Sequence, residues 1–289
     1  MIADLKQARL CIIGLGLMGG SLGMALRARH ACQTVSGSDS KPDVCRQAVV
    51  VGAVDESTVD AIAAVRQADI VVLAAPVRTI IRLAADLGPH MQPGVLLMDT
   101  GSTKVDIMQA MESLPPHVQA VGGHPMCGKE RAGISAADAD LYRGALFCLT
   151  PLARTRPDAL SLAGELVRAI GARPLVIEPQ RHDALVAAIS HLPYLVAAAL
   201  TAAAAETAAA DPLAWQLAAS GFRDTSRLAG SDVDMMLDIL LTNRQCAAGP
   251  ARRAAQTLLH LADAIESGDE VALRTALAAA QHTRQQVYR

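Results

Sequence analysis

Aromatic residues are nearly absent: one Trp, three Tyr and two Phe make up 2% of 289 positions. A stacking platform for single-stranded nucleic acid needs more rings than that. Charge of one sign is lacking too. Lys and Arg number 26 against 28 Asp and Glu, a net charge of −2, so no broad field exists to hold a polyanion and any basic site is local. The six cysteines (Cys11, Cys32, Cys45, Cys127, Cys148, Cys246) form no CxxC pair, which argues against a zinc site or disulfide framework and fits a reducing compartment. The N-terminus, Met1 to Lys6, lacks the charged-then-apolar pattern of an export signal. No uninterrupted apolar run reaches about 18 residues. The Ala-rich stretch near Leu195 to Ala210 carries Thr201 and Glu206, follows His191 and Pro193, and reads as a buried helix. A soluble, cytoplasmic protein with neither a membrane nor a nucleic-acid partner is expected.

What is present is alternation. Short apolar runs occur at Arg9–Ile13, Thr34–Ser38, Ile70–Ala74, Val95–Met98, Val118–Val121, Leu146–Leu149 and Pro174–Ile177. Most are β-branched or aliphatic at consecutive positions, as strands buried on both faces should be. Amphipathic helices lie between them, such as Pro42–Val51 before Gly52 and Arg78–Leu87 before Gly88. This order predicts an α/β domain over residues 1–178, built on a doubly wound parallel sheet. After Glu178-Pro179 the strand-like runs stop. Ala, Leu and Met recur at helical spacing through Arg181–Leu200, Leu213–Ser220, Val233–Gln245 and Pro250–Ser267, with a last helix from Asp269 to Gln285. An all-α domain over 179–289 is expected. Its long helices rich in small residues suit close packing or a tight subunit interface, hence a homodimer through these C-terminal helices.

The first domain carries Gly14-Leu15-Gly16-Leu17-Met18-Gly19, a GxGxxG sequence directly after a strand and opening a helix. The first glycine permits the turn, the second lets the backbone approach a pyrophosphate, and the third packs helix on strand. Asp39 follows Gly19 by 20 residues, at the end of the second strand. That context separates a dinucleotide-binding, Rossmann-type domain from an ordinary glycine turn with a solvent-facing Asp39. An acid there accepts bonds from the ribose hydroxyls and repels a 2′-phosphate, so NAD is favoured. Ser38, Ser40 and Lys41 alongside keep NADP open. Ala75-Pro76 and Thr100-Gly101-Ser102 follow two further strands, where ligands bind in open α/β sheets, and are expected to line the cofactor site.

His124, in Gly122-Gly123-His124-Pro125-Met126-Cys127-Gly128, stands at another strand end and is a proton-acceptor candidate near neutral pH. Downstream, Gly221-Phe222-Arg223-Asp224-Thr225-Ser226-Arg227 offers Arg223 as a planar fork for a substrate carboxylate. The bland reading of that segment is a local ion-pair cluster; Ser102 alone would read as a helix N-cap. Lys104 reads as a supporting residue or a helix-surface charge.

Together these motifs, with Asp99-Thr100-Gly101-Ser102-Thr103-Lys104 and Ile189-Ser190-His191-Leu192-Pro193, resemble the prephenate/arogenate dehydrogenase family of tyrosine biosynthesis over residues 10 to 245. The resemblance implies oxidative decarboxylation of prephenate or arogenate with a nicotinamide cofactor, giving 4-hydroxyphenylpyruvate or tyrosine and carbon dioxide. It implies that His124 accepts the hydroxyl proton, that Ser102 contacts the same hydroxyl, and that Arg223 and His191 lie near the substrate. A core histidine at a helix kink is the other reading of His191. Glu130 resembles prephenate-using members and Thr225 arogenate-using ones, so both are substrate-binding candidates and the substrate stays open. Cys127 stands where a small residue is usual, as a packing variant. Too few residues follow the helical domain for an appended regulatory domain, so any feedback by tyrosine is expected to act in or near the active site. Two other readings share the fold plan. A β-hydroxyacid dehydrogenase would use a lysine from the helical domain, yet no lysine follows Lys129. A non-catalytic dinucleotide sensor would have no use for His124 or Arg223.

Overall fold

The computed structural model describes residues 4–129 and 131–287. It separates into two compact units that do not divide at Pro179: the first runs to Val186 and also takes in Gly230–Asn243, while the second comprises Ala187–Ala229 and the chain from Arg244 onward.

In the first unit the strands are β1 (Arg9–Ile13), β2 (Thr34–Ser38), β3 (Glu56–Thr58), β4 (Ile70–Leu73), β5 (Leu96–Asp99), β6 (Gln119–Pro125), β7 (Leu146–Pro151) and β8 (Arg173–Val176). They form one sheet in the order β3-β2-β1-β4-β5-β6-β7-β8. Successive side chains of the inner strands feed different cores. Leu10, Ile12, Ile70, Val72, Leu96 and Met98 join α1 (Leu17–Ala28), α2 (Pro42–Val50) and α6 (Pro157–Ala169) on one face. Cys11, Ile13, Val71, Leu73 and Leu97 join α3 (Ala61–Val65), α4 (Val77–Leu87) and α5 (Val105–Glu112) on the other. Burial on both faces explains why the strands read as unbroken apolar runs rather than as alternation.

The sheet departs from the expected parallel pattern at one place: β7 runs antiparallel to β6, and β8 follows β7 in parallel. This reversal lengthens β6. Its parallel pairing with β5 stops at Met98 and Val121, but Gly122 to Pro125 continue against β7, with His124 opposite Cys148. The sequence pattern ended this strand at Val121, because two glycines carry no β signal. β3 was not expected either; its three polar residues at the sheet edge give no apolar run.

The short α7 (Pro179–Val186) belongs to the sheet unit. So does α11 (Val233–Thr242), although it lies some fifty residues past the expected boundary. Asp238 pairs with Arg78 of α4 at 3.1 Å, and Thr242 shares a 2.9 Å hydrogen bond with Thr103.

In the second unit a π-helical turn, Ala187–His191, leads into α8 (Leu192–Ala210), followed by α9 (Leu213–Gln216), α10 (Ser220–Ser226), α12 (Arg244–Ser267) and α13 (Glu270–Val287). α8 packs on α10 and α12, and α13 on α12. The expectation that α8 would be buried is not met within one chain: only Ala197 and Ala208 are covered. Pro179–Ala210 is long and apolar enough to cross a bilayer by length and composition; its α8 part packs on α10 and α12.

Candidate active site

β1 and β4 end side by side, Ile13 against Leu73, at the point where strand order reverses. Gly14 opens the loop there with φ +96°, and a Cβ on it would lie 2.4 Å from the Ala74 carbonyl oxygen. No other residue fits so close to β4. Gly16, by contrast, has open space where a Cβ would point, and it is the N-cap of α1. That helix start has no side-chain cap and no acidic residue in its first turn. Its first amides therefore carry the positive end of the helix dipole with no side chain capping them, which fits a dinucleotide pyrophosphate. The Asp39 carboxylate is fixed beside the glycine loop, accepting from Leu15 N and Lys41 N, each at 3.0 Å.

Ala75 is half-buried and Pro76 exposed at the start of α4. Thr100 and Gly101 are buried, and their amides are already engaged: Thr100 N donates to Leu73 O at 3.0 Å and Gly101 N to Asp99 Oδ2 at 2.6 Å. These two can line a site through their surface but have no amide left to offer.

His124 sits half-buried on the extended end of β6, within a closed ring of hydrogen bonds. Its Nδ1 lies 2.8 Å from His182 Nε2, and His182 Nδ1 lies 2.8 Å from Asp183 Oδ1. Asp183 in turn accepts from Lys104 N (2.7 Å) and Val105 N (2.9 Å). The Lys104 ammonium pairs with Asp99 Oδ2 and donates to Gly123 O at 2.5 Å. Asp99 Oδ1 accepts from Gly123 N at 3.0 Å, which closes the ring. The Gly123 peptide, immediately before His124, is thus gripped at both ends. A Cβ at Gly123 would strike the Asp99 carbonyl oxygen at 2.2 Å, so only glycine allows this approach. Outside the ring, Asn243 Nδ2 donates to Asp183 O at 2.8 Å and fixes α7 from behind.

Lys104 corrects the surface-charge reading: its side chain and that of Asp99 are 0% exposed. Burial pushes the Lys104 ammonium below the usual lysine range even with Asp99 and Asp183 beside it. Ser102 is not the cap of α5 either. That helix starts after Lys104, and its free amides are satisfied by Asp183, 79 residues further along the chain. Ser102 lies in the loop between β5 and α5, three residues past Asp99 and partly exposed.

The remaining candidates belong to the helical unit. His191 is buried at the end of the π-helical turn, a distortion often found at functional sites. Arg223 and Thr225 are exposed on α10, and among the described residues Arg223 reaches its neighbour Asp224, at 3.5 Å. Arg227 falls in the 3-10 turn after α10 rather than on the same helix. Glu130 lies outside the described residues. The sequence reading missed His182 and Asp183 altogether, although an adjacent His-Asp pair on a short helix is itself a signal. It also passed over Asp99, an acid ending an otherwise apolar strand.

Comparison with known proteins identifies the family. The sequence model described as prephenate dehydrogenase, nucleotide-binding domain, matches residues 22–176, and that for the prephenate dehydrogenase dimerization domain matches 178–279. A prephenate dehydrogenase of Bacillus subtilis is 34% identical over 81% of this chain and 63% of its own length. A cyclohexadienyl dehydrogenase of Zymomonas mobilis is 35% identical, over 81% of this chain and 80% of its own length. The chain spans just under two thirds of the Bacillus relative and of a Lactococcus lactis one (63% and 65%). Among solved structures, a prephenate dehydrogenase of Aquifex aeolicus in complex with hydroxyphenyl propionate and NAD+ superposes with a TM-score of 0.87 at 29% identity, covering 97% of this chain and 98% of that one. With both domain models matched in succession and relatives above 30% identity along most of its length, the chain belongs to the prephenate dehydrogenase family.

Proposed function

We propose that this protein is an NAD-dependent oxidoreductase that oxidatively decarboxylates prephenate, arogenate or both. The carrying observation is His124, held by buried partners at the C-terminal edge of a sheet whose β1 loop is shaped for a dinucleotide. The relatives bear the names of enzymes for these substrates, and the Aquifex structure holds NAD+ with a hydroxyphenyl compound.

NAD supplies the hydride acceptor. The glycine loop and the start of α1 would hold its pyrophosphate, and Asp39 would meet the adenosine ribose. A carboxylate fixed by two amides repels a 2′-phosphate, which favours NAD over NADP. His124 accepts the hydroxyl proton as hydride leaves the same ring carbon. Carbon dioxide leaves the opposite carbon, the C–C electron pair enters the ring, and the phenolate oxygen recovers the proton from His124. Ser102 orients the hydroxyl, and Arg223 is suited to take a substrate carboxylate in a forked pair; His191, Thr225 and Glu130 are the further substrate-binding candidates. Prephenate and arogenate differ only in a keto or amino side chain.

The helical unit acts as a dimerisation element. α13 has no buried residue within one chain, and an isolated amphipathic helix gains its stability from packing. Free cysteines throughout the described chain suit a cytoplasmic setting.

The test follows nicotinamide reduction with prephenate and with arogenate, each with NAD and with NADP. Turnover with NAD is expected for at least one substrate. Failure in all four mixtures by folded, NAD-binding protein would refute the activity, and tighter binding of NADP than of NAD would refute the cofactor preference. Sedimentation is expected to give twice the chain mass.

A further inference from the structure

We propose that His182 and Asp183 are positioning residues that hold His124 in the one tautomer able to accept a proton at Nε2. The proposal rests on the reading of His124 as proton acceptor, but its geometry is independent of the substrate.

The argument starts from Asp183. Its carboxylate receives two backbone amides at the start of α5, where the helix dipole favours negative charge. An ionised carboxylate only accepts hydrogen bonds, so the proton in the 2.8 Å contact with His182 sits on His182 Nδ1. In a neutral imidazole the other nitrogen is then an acceptor. His182 Nε2 therefore takes its 2.8 Å hydrogen bond from a proton on His124 Nδ1. His124, with its proton on Nδ1, presents Nε2 as a lone pair. Had the chain been polarised the other way, with His182 donating to His124 Nδ1, the proton of neutral His124 would sit on Nε2 and no base would be available.

Nothing in this relay is loose. His182 and Asp183 side chains are each 1% exposed, and the two rings meet edge to face with centroids 5.0 Å apart. Asn243 holds the Asp183 carbonyl, and Lys104 serves both ends: its main-chain amide binds Asp183 while its ammonium binds the Gly123 carbonyl beside His124. The same residue thus fixes both the orienting carboxylate and the strand that carries the oriented ring. When His124 gains the proton, its Nδ1–H keeps donating to His182, so no partner need move. A carboxylate fixing the tautomer of a catalytic imidazole is known to matter by large factors where it can be removed cleanly; here a second imidazole is interposed.

The test is long-range proton–nitrogen NMR on full-length protein labelled with nitrogen-15 histidine, at pH 8, alongside steady-state kinetics. Wild type is expected to show His124 with a protonated Nδ1 and an unprotonated Nε2. His182→Asn keeps a donor at the Nδ1 position but offers His124 no acceptor, whereas His182→Gln places a carbonyl oxygen at the Nε2 position. The Asn variant is expected to shift His124 toward the Nε2–H form and to lose about a hundredfold or more in kcat with little change in KM. The Gln variant is expected to keep the wild-type tautomer and most of the rate. His124 protonated on Nε2 in wild type, or unchanged in His182→Asn, would overturn the proposal. Equal kcat losses in the Asn and Gln variants would overturn it as well, since they would indicate mere packing. The expected wild-type tautomer in a protein inactive with every substrate would uphold the positioning role and refute only the activity.

Discussion

His124 and Arg223, the two residues assigned to the substrate's opposite needs, live in contrasting surroundings. His124 stands in a ring of buried partners from β5, α5, β6 and α7, all within the sheet unit of one chain. Arg223 stands on the seven-residue α10 with its side chain 77% exposed and, among the described residues, one weak partner, the similarly exposed Asp224. The surroundings of His124 are pre-organised: Asp99, Lys104, His182 and Asp183 already have partners, and desolvation strengthens each contact. The helical unit buries His191 but leaves Arg223 and Thr225 in solvent and much of its apolar surface open, including Leu258, Leu259, Ile265 and Leu277. Proton transfer needs fixed geometry before substrate arrives. Recognition of a carboxylate tolerates a group that is ordered only on binding.

That contrast is most sharply broken at its centre. His124→Ala should lower kcat by about 100- to 10,000-fold, the usual worth of a positioned base. KM should change little, because the ring holds the fold without the imidazole. Loss of less than about tenfold in single-turnover rate would place the proton acceptor elsewhere.

Lys104→Met comes next and acts on stability. It leaves Asp99 buried without its cation, a change that costs about 3–5 kcal/mol in proteins. Denaturant unfolding should show that loss, and activity should fall with it because the Gly123 carbonyl loses its grip. A loss below about 1 kcal/mol would mean that Asp99 is stabilised by its two amides alone. Arg223→Ala should do the reverse. Its exposed pair with Asp224 contributes at most about 1 kcal/mol, so unfolding should barely shift. Losing charged hydrogen bonds to a carboxylate should cost about 1.5–3 kcal/mol of binding, a rise in KM of about 10- to 100-fold. An unchanged KM would remove Arg223 from the substrate site.

The same contrast governs what the sequence could reveal. Glycines 14, 16 and 19 and Asp39 were legible because the strand–loop–helix context is local and each residue's task is fixed by backbone geometry. His124 was legible from its strand-end setting. The ring around it was not, since its bonds join residues far apart in sequence: 58 positions separate His124 from His182, and 79 separate Lys104 from Asp183. A lysine after Ser102-Thr103 at the start of a helix looks like a surface charge until a buried acid is placed against it. Inner strand positions were readable because those strands bury two faces, but the direction of β7 was not. Apolar periodicity carries no sign of which way a strand runs.

The smallest expected effect concerns Cys127, three residues past His124. Its position invites a nucleophilic reading, and its surroundings refuse one. Burial against the core of α1 pushes its thiol up to about 11, and the thiolate is the reactive form. At pH 8 a thiol of that kind is ionised in about one molecule per thousand, so alkylation of Cys127 should be slow and should speed up about tenfold per pH unit until near that value. The sign for stability follows. A thiol raised in the folded chain above its unfolded value of about 8.5 favours folding below that pH, and the advantage is lost as pH rises through about 11. Cys127→Ala should therefore leave kcat and KM within about twofold and soften the alkaline limb of unfolding. Rapid alkylation of Cys127 at pH 7, read by peptide mass spectrometry, or a large fall in kcat for the alanine variant would bring this thiol into the chemistry. It would also end the confinement of proton transfer to the buried ring.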